Sequence, residues 1–136
     1  MADPTNEFYE IGAKYVTMAY DGTIVFDKTL PGGAAQVGKA VEMVSGGTVG
    51  LCATAHEIYG KLVKVEPDGF CSVQYKGFCD LPYDGSPTYA ATNNGVVGGA
   101  TAGNVAPASV AETATAVRRA IAIKADVTGR IIVELI

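Results

Sequence analysis

The segment KVEPDGFCSVQY, residues 64–75, contains the clearest structural pattern in this chain. Polar and apolar residues alternate on both sides of Pro67-Asp68-Gly69. Proline presets the backbone at the first turn position, and glycine accepts the left-handed conformation at the last one. We expect Glu66 to pair with Phe70 across a three-residue loop. The apolar pairs on one face of this predicted hairpin are then Val65–Cys71 and Val63–Val73.

Two more segments have the same form, with a glycine-containing loop between apolar alternations. Residues 39–53 turn at Ser45-Gly46-Gly47, and residues 120–136 turn at Val127-Thr128-Gly129. The sequence therefore predicts two further hairpins. Their expected cross-strand pairs are Met43–Val49, Val41–Leu51, Ile123–Val133 and Ile121–Leu135.

Other segments are patterned less regularly. A fourth hairpin is predicted at residues 15–27, because Asp21-Gly22 fits a two-residue type I′ turn. Residues 110–120 are compatible with one short helix, with Ser109 as its N-cap. Residues 93–109 are rich in glycine and alanine, and we expect them to form a loop over the surface.

The succession of hairpins predicts a mainly β fold: a small antiparallel β-barrel or sandwich with at most one short helix. The chain has 136 residues, the length of one ordinary domain. We expect an N-terminal arm at residues 1–14 and a single β-rich domain at residues 15–136. The last strand, in RIIVELI, is apolar on both faces and should be buried in the sheet or paired at a subunit interface. Asp126 and Arg130 are expected to pair across the turn that precedes this strand.

The composition narrows the possible functions. Hydrophobic residues make up 49% of the chain and charged residues only 18%, which suggests that a partner covers part of the surface. The net charge is −4 and the basic residues are scattered, so no nucleic-acid partner is expected. No apolar run approaches the roughly 20 residues that span a bilayer, so no membrane partner is expected. The N-terminus has no apolar signal segment, and we expect three free, buried cysteines made in a reducing cytosol.

Residue types that carry catalysis are sparse. His56 is the only histidine, and its default role is that of a surface or hydrogen-bonded residue. The cysteine spacings match no metal or redox motif, and GGAAQVGKA lacks the Ser or Thr that follows the lysine of a phosphate loop. We therefore predict no catalytic residue, no metal site and no cofactor. Four acids near the middle of the chain are expected to be solvated or turn-forming: Glu57, Glu66, Asp80 and Asp84.

The order of elements in residues 37–83 is similar to that of a known family. The run VGKAVEMVSGGTVGLCATAHEIYGKLVKVEPDGFCSVQYKGFCDLPY gives a hairpin, a glycine-led strand, the PDG hairpin and a KG strand. It resembles small tailed-phage capsid decoration (cement) proteins, which also tend to close on an apolar strand such as GRIIVELI. The matching positions are Gly38, Val41, Gly47, Val49, Leu51, Gly60, Leu62, Gly69, Val73, Gly77, Leu81 and Pro82.

This resemblance implies a structural virion protein, not an enzyme, that binds the outer surface of a phage capsid and stabilises the shell. Its partner would be the major capsid protein, and a homotrimer is the favoured assembly. It would be made in the host cytoplasm and reside on the capsid surface. Apolar side chains at the arm are either core packing residues or contacts to the capsid or a subunit; the candidates are Phe8, Tyr9, Ile11 and Tyr15.

Three other functions stay open at this point. A small-ligand-binding β-barrel would have a closed apolar cavity. Another virion component, in the tail or a fibre, would differ mainly in its location. An enzyme would need a site at His56 and Glu57, the one place where a histidine and an acid are adjacent in the sequence.

Overall fold

The computed structural model describes residues 11–85, 94–108, 120–125 and 129–136. Within these ranges the regular structure is nine strands and a short 3-10 helix at Pro31–Gly33, which confirms the mainly β prediction. The strands are β1 (Lys14–Tyr20), β2 (Ala40–Ser45), β3 (Thr48–Leu51), β4 (Gly60–Val65), β5 (Phe70–Pro82), β6 (Val96–Gly98), β7 (Val105–Pro107), β8 (Ala120–Ala125) and β9 (Arg130–Leu135).

Five strands close into a small barrel in the order β1-β3-β2-β4-β5, because β5 pairs back with β1. The sheet is mixed, since β1 and β3 run parallel, with Tyr20 opposite Val49. Core side chains fill the interior, where a ligand-binding barrel would have its cavity. They are Met18, Ile24, Ala34, Val41, Val49, Leu62, Val65, Cys71 and Val73.

Strand β5 is 13 residues long and belongs to two parts of the fold. Its first half pairs with β1 and β4, and its second half pairs with β9, which in turn pairs with β8. Gly77 separates the halves, with a φ of +90° that L side chains rarely adopt. A Cβ at Gly77 would lie 2.6 Å from the backbone nitrogen of Ala13. Glycine is therefore required both for the change of direction and for the passage of residues 12–13 across the strand.

A second core cluster lies beside the barrel. Strand β9 runs between β5 and β8, and its successive residues Ile131, Ile132 and Val133 are all fully buried. The prediction of a buried C-terminal strand is confirmed, because both of its faces are covered. The cluster comprises Ala40, Cys52, Ile58, Cys79, Leu81, Tyr83, Val96, Val105, Ala120, Ala122, Ile131, Val133 and Leu135.

The PDG hairpin forms as predicted near its turn. The backbone nitrogen of Glu66 donates to the oxygen of Phe70 at 2.9 Å, and Val65 lies opposite Cys71. The Val63–Val73 pair is wrong, because a bulge between Leu62 and Lys64 puts Leu62 opposite Val73. Leu62 is consequently the fully buried residue of this strand, and the smaller Val63 is only half-buried.

The other two glycine hairpins differ in outcome. Strands β2 and β3 have the predicted Met43–Val49 and Val41–Leu51 pairs. The predicted pairs of β8 with β9 are wrong by one residue: Ala122 faces Val133 and Ala120 faces Leu135, with a bulge between Ala122 and Lys124. The alanines lie on the inner face, where the large side chains of β9 leave little space for Ile121 and Ile123.

The fourth predicted hairpin, at residues 15–27, is wrong. Strand β1 pairs with β3 and β5 instead, and residues 24–27 form no strand. A type I′ turn needs positive φ at both central residues, and Gly22 does not have it. The Asp21 carboxylate accepts a hydrogen bond from the backbone nitrogen of Thr23 at 2.9 Å, which forms a different turn.

The predicted loop at residues 93–109 also needs correction, since residues 94–108 contain the β6–β7 pair. Val96, Val97 and Val105 are buried, which explains why this segment is ordered against the core despite its glycines. The helix considered for 110–120 lies outside the described residues, except that Ala120 begins β8. Residues 1–10 of the predicted arm also lie outside them.

Candidate binding surface

A cleft of about 340 Å³ lies on the outer side of the barrel, next to the bend of β5. Tyr15 and Gln74 are cross-strand partners, and Lys61 is the partner of Gln74 on the other side. Because these positions alternate with core residues, their side chains project from the outer face. The cleft is lined by Tyr15, Val37, Gly38, Lys61, Leu62, Val63, Gln74, Phe78, Cys79 and Asp80.

Two members of a charged triad, Lys61 and Asp80, line the cleft. The Asp80 carboxylate accepts hydrogen bonds from the Lys61 ammonium at 2.6 Å and from Nε of Arg130. Burial alone would raise the pKa of Asp80, but the hydrogen bonds and charges of Lys61 and Arg130 outweigh it and hold the pKa below its ordinary value. The triad ties β4 of the barrel to β5 and β9 of the second cluster.

This triad corrects the prediction for Asp80. Asp80 is not a solvated turn residue, because it lies inside β5 with only 13% of its side chain exposed. Arg130 pairs with Asp80, and the expected partner Asp126 lies outside the described residues. The sequence signal was the presence of charged residues within three largely apolar strands, which local turn chemistry cannot pair.

Gln74 is the one buried polar side chain among the described residues, with 3% exposure. Its amide nitrogen donates to the backbone oxygens of Lys76 at 3.0 Å and Phe78 at 3.1 Å. These bonds satisfy carbonyls on both sides of Gly77, where the strand departs from regular pairing. Gln74 therefore fixes the shape of the cleft at the bend.

Two exposed lysines lie beside this cleft in a protein whose net charge is −4. Lys14 and Lys76, both exposed, are direct cross-strand partners next to the Tyr15–Gln74 pair. Like charges in opposed positions are destabilising in a sheet. The lining of the cleft itself carries one cation, Lys61, and one carboxylate, Asp80, which are paired with each other, and Glu134 of β9 lies opposite the lining residue Phe78.

Two of the four predicted contact residues come together at this cleft. Tyr15 is 46% exposed and lines it, and Ile11 is 52% exposed. The backbone oxygen of Ile11 accepts a hydrogen bond from the nitrogen of Phe78 at 3.0 Å, which holds the chain at the rim. The other two, Phe8 and Tyr9, lie outside the described residues.

A second exposed apolar group was not anticipated from the sequence. Met43, Val44 and Phe70, hereafter the tip surface, are 42%, 45% and 48% exposed and lie beside the turns of two hairpins. Both turns meet the end of β1: Ala19 donates its backbone N–H to Gly47, and Tyr20 donates to Gly69. The only signal was two consecutive apolar residues before Ser45 and one apolar residue directly after Gly69, at turns where polar residues are usual.

His56 is exposed and hydrogen-bonded, in agreement with its default prediction. Its Nδ1 lies 2.5 Å from the carboxylate of Glu42, whose other oxygen accepts from the backbone nitrogen of Ala53. His56, Glu57 and Glu42 line a cavity of about 290 Å³. The partner that orients the imidazole is therefore Glu42 on β2 and not the adjacent Glu57.

The three cysteines are free and buried, as predicted. Burial raises the pKa of Cys52 and of Cys79 to about 12 and that of Cys71 to about 11, so all three are thiols near neutral pH. In the part of the chain that the structure describes, no group of three or more His, Cys, Asp or Glu side chains is placed to hold a metal ion.

Comparisons with known proteins give no family. No protein-family model, curated protein or solved structure matches this chain. None of the helical segments in the described ranges has the length and apolar character needed to cross a membrane.

Proposed function

We propose that this protein is a structural virion component that binds the outer surface of a phage capsid and stabilises the shell. Its partner is the major capsid protein, and its assembled form is a homotrimer. The proposal starts from the resemblance of residues 37–83 to capsid decoration proteins. Phe8, Tyr9, Ile11 and Tyr15 are kept as candidate contacts of the arm.

The observation that best supports this proposal is the tip surface. Three large apolar side chains stand in water at the ends of two rigid hairpins, where a monomer would gain solubility from polar residues. Phe70 and Thr48, each beside its turn, both lie opposite Ala19 on β1, so the two turns approach the same end of that strand. Exposed apolar side chains of this kind are suited to a contact with another protein.

Adhesion of this kind needs no catalytic chemistry. Each bound copy contributes contact free energy to the neighbouring capsid subunits, and many copies together make a modest contact effective. A protein that binds only the expanded shell stabilises that state by mass action. The two core clusters share strand β5, which makes the domain rigid, and a rigid partner loses little entropy on binding.

The test is saturable binding of the purified protein to expanded heads of the phage that encodes it. Heads with bound protein should withstand higher temperatures and higher chelator concentrations than bare heads. The double variant Val44→Ser and Phe70→Ser should bind about tenfold more weakly or worse, since it removes two apolar side chains from a docked surface.

The matched control is Val25→Ser with Ile136→Ser, which removes two equally exposed apolar side chains elsewhere. Its affinity for heads should stay within a factor of about two of the parent, because surface substitutions outside a contact have small effects. A protein that never binds expanded heads would disprove the proposed function. Equal binding by both double variants would instead show that the tip surface is not the contact, and the proposed function would stand without it.

A further inference from the structure

Among the residues that the structure describes, Met43 is the one sulfur-containing side chain with a large exposed fraction. It is 42% exposed on β2 and belongs to the tip surface. Met18 lies in the barrel core and is only 8% exposed, and the other sulfur atoms belong to the three buried cysteines. Because the two thioethers are chemically alike, access of the reagent decides which of them a small oxidant reaches first.

The cysteines do not compete for such an oxidant. Burial holds the pKa of each thiol well above its ordinary value, so all three are protonated near neutral pH. Oxidants attack the thiolate, and a buried thiol is inert. Mild oxidation of the folded domain is therefore directed to a methionine.

A cavity offers a second approach to Met43. This residue lines the cavity of about 290 Å³ together with His56 and Tyr59. The side chain of His56 is 57% exposed, so the cavity opens to water. One water molecule takes up about 30 Å³ in the liquid, so this volume admits a molecule the size of hydrogen peroxide.

We propose that Met43 is a modification site at which a peroxide oxidises the thioether to the sulfoxide, and that this change weakens the contact of the tip surface with the capsid. One oxygen atom passes from hydrogen peroxide to Sδ: the O–O bond breaks, the S–O bond forms, and water is released. The sulfur is oxidised and the peroxide is reduced. The weakened contact rests on the proposed function, whereas the oxidation itself does not.

The effect on adhesion follows from the polarity of the product. A sulfoxide replaces an apolar thioether beside Val44 and Phe70, and a polar group there must lose its water when a partner docks. The fold is retained, because Met43 belongs to neither core cluster. The oxidation state of one side chain thereby controls adhesion without unfolding the domain.

Limited treatment with hydrogen peroxide, followed by peptide mass spectrometry, measures the order of oxidation. We expect Met43 to gain an oxygen atom about tenfold faster than Met18 in the folded protein, and at an equal rate in urea, where both are exposed. Equal rates in the folded protein, or faster oxidation of Met18, would overturn the assignment of the site. This measurement uses the free protein and needs no capsids.

Binding to expanded heads before and after the same treatment measures the effect on adhesion. The parent should lose affinity by about fivefold or more, since a polar group is introduced into a docked apolar surface. Met43→Leu, compared with its own untreated form, should keep its affinity, because leucine has no sulfur to oxidise. Met18→Leu is the matched control and should lose affinity as the parent does, since it retains Met43.

Each outcome separates the oxidation from the proposed function. Unchanged affinity of a parent protein that is oxidised at Met43 would overturn the weakened contact and leave the proposed function intact. An equal loss in treated Met43→Leu would overturn it as well, because another residue would then be responsible. If the untreated protein never binds heads, the proposed function and the weakened contact both fail, while the order of oxidation still decides the modification site.

Discussion

At the scale of single residues, the Asp80 side chain joins three strands of the fold. Its two oxygens bind Lys61 and Arg130, and Nη2 of Arg130 also reaches the backbone oxygen of Gly38 at 3.3 Å. A half-buried carboxylate between two cations is stable only while it is ionised. Removing its charge leaves both cations in a partly desolvated position.

We expect Asp80→Asn to lower the free energy of unfolding by about 2 kcal/mol, less than the loss for a fully buried pair because Lys61 and Arg130 retain some contact with water. Urea denaturation followed by circular dichroism measures it. The control is Asp68→Asn, at an exposed turn position where the amide oxygen can still accept from Phe70. A loss at Asp80 no larger than at Asp68 would contradict the structural role of the triad.

The same carboxylate predicts the direction of acid sensitivity. The pKa of Asp80 is lower in the folded protein than its ordinary value of about 3.9, so its contribution to stability is complete above pH 4 and is lost as the pH falls through the folded pKa. Unfolding free energies measured between pH 7 and pH 2 should fall less steeply in Asp80→Asn than in the parent. If the pH dependence of the unfolding free energy were the same in both proteins, other carboxylates, such as Asp27 and Asp84, would account for the loss of stability in acid.

At the scale of elements, a single bulge decides which face of β4 is buried. Alternation from the turn predicts Val63 in the core, but the bulge transfers that place to Leu62. Beyond the bulge, the side of each residue is reversed relative to the simple pattern. The larger apolar residue thereby occupies the barrel interior.

A pair of substitutions tests this register. Leu62→Ala should lower the free energy of unfolding by about 3 kcal/mol, since it leaves a cavity in the barrel core. Val63→Ala should lower it by only about 1 kcal/mol, because Val63 is half-buried at the cleft. Chemical denaturation of both variants gives the comparison, and the reverse order would show that the alternation without a bulge is correct.

The bend of β5 depends on one glycine. Gly77→Ala would adopt positive φ and would also place its Cβ against the backbone of Gly12 and Ala13, so we expect a loss of about 3 kcal/mol or more. Gly69 has nearly the same φ, +92°, but has open space at its Cβ position. Gly69→Ala should therefore lose only about 1 kcal/mol, and thermal and urea unfolding of both would separate steric overlap from backbone strain. Equal losses would contradict the close passage of residues 12–13.

At the scale of the whole molecule, β5 makes the two core clusters one unit. Val73 of β5 lies in the barrel cluster, and Cys79 of the same strand lies in the second cluster, opposite Val133 of β9. The Asp80 triad adds a polar connection across the same boundary. If the sheet of either the barrel or the second cluster unfolds, strand β5 is exposed, and the other part loses a pairing partner.

We therefore expect one cooperative unfolding transition. Val73→Ala and Val133→Ala should each reduce the hydrogen-exchange protection of Val49 in the barrel and of Ile132 in the second cluster by the same factor. Native-state exchange measured by NMR tests this. Protection lost only around β8 and β9 in Val133→Ala would show that the second cluster opens independently.

Local patterns predicted those parts of the fold that depend on near neighbours. The turn at Pro67-Asp68-Gly69, the β2–β3 register and the burial of β9 could all be derived, because turn residues and alternation act over a few positions. The hairpin at residues 15–27 could not be excluded in this way, since Asp21-Gly22 allows two kinds of turn. Of the candidate contacts, Ile11 and Tyr15 could be chosen as apolar residues at a chain end, but not as neighbours at one cleft.

The sequence by itself determined a β fold with glycine-closed hairpins, because backbone freedom and alternating burial are properties of short segments. Only the tertiary structure decided which strand β1 pairs with, where the bulges fall, and that Asp80 meets Lys61 and Arg130. Those contacts join residues 19 and 50 positions apart, as in the Lys61–Asp80 and Asp80–Arg130 pairs. Their formation depends on how the large side chains fill the two cores, and no short segment contains that information.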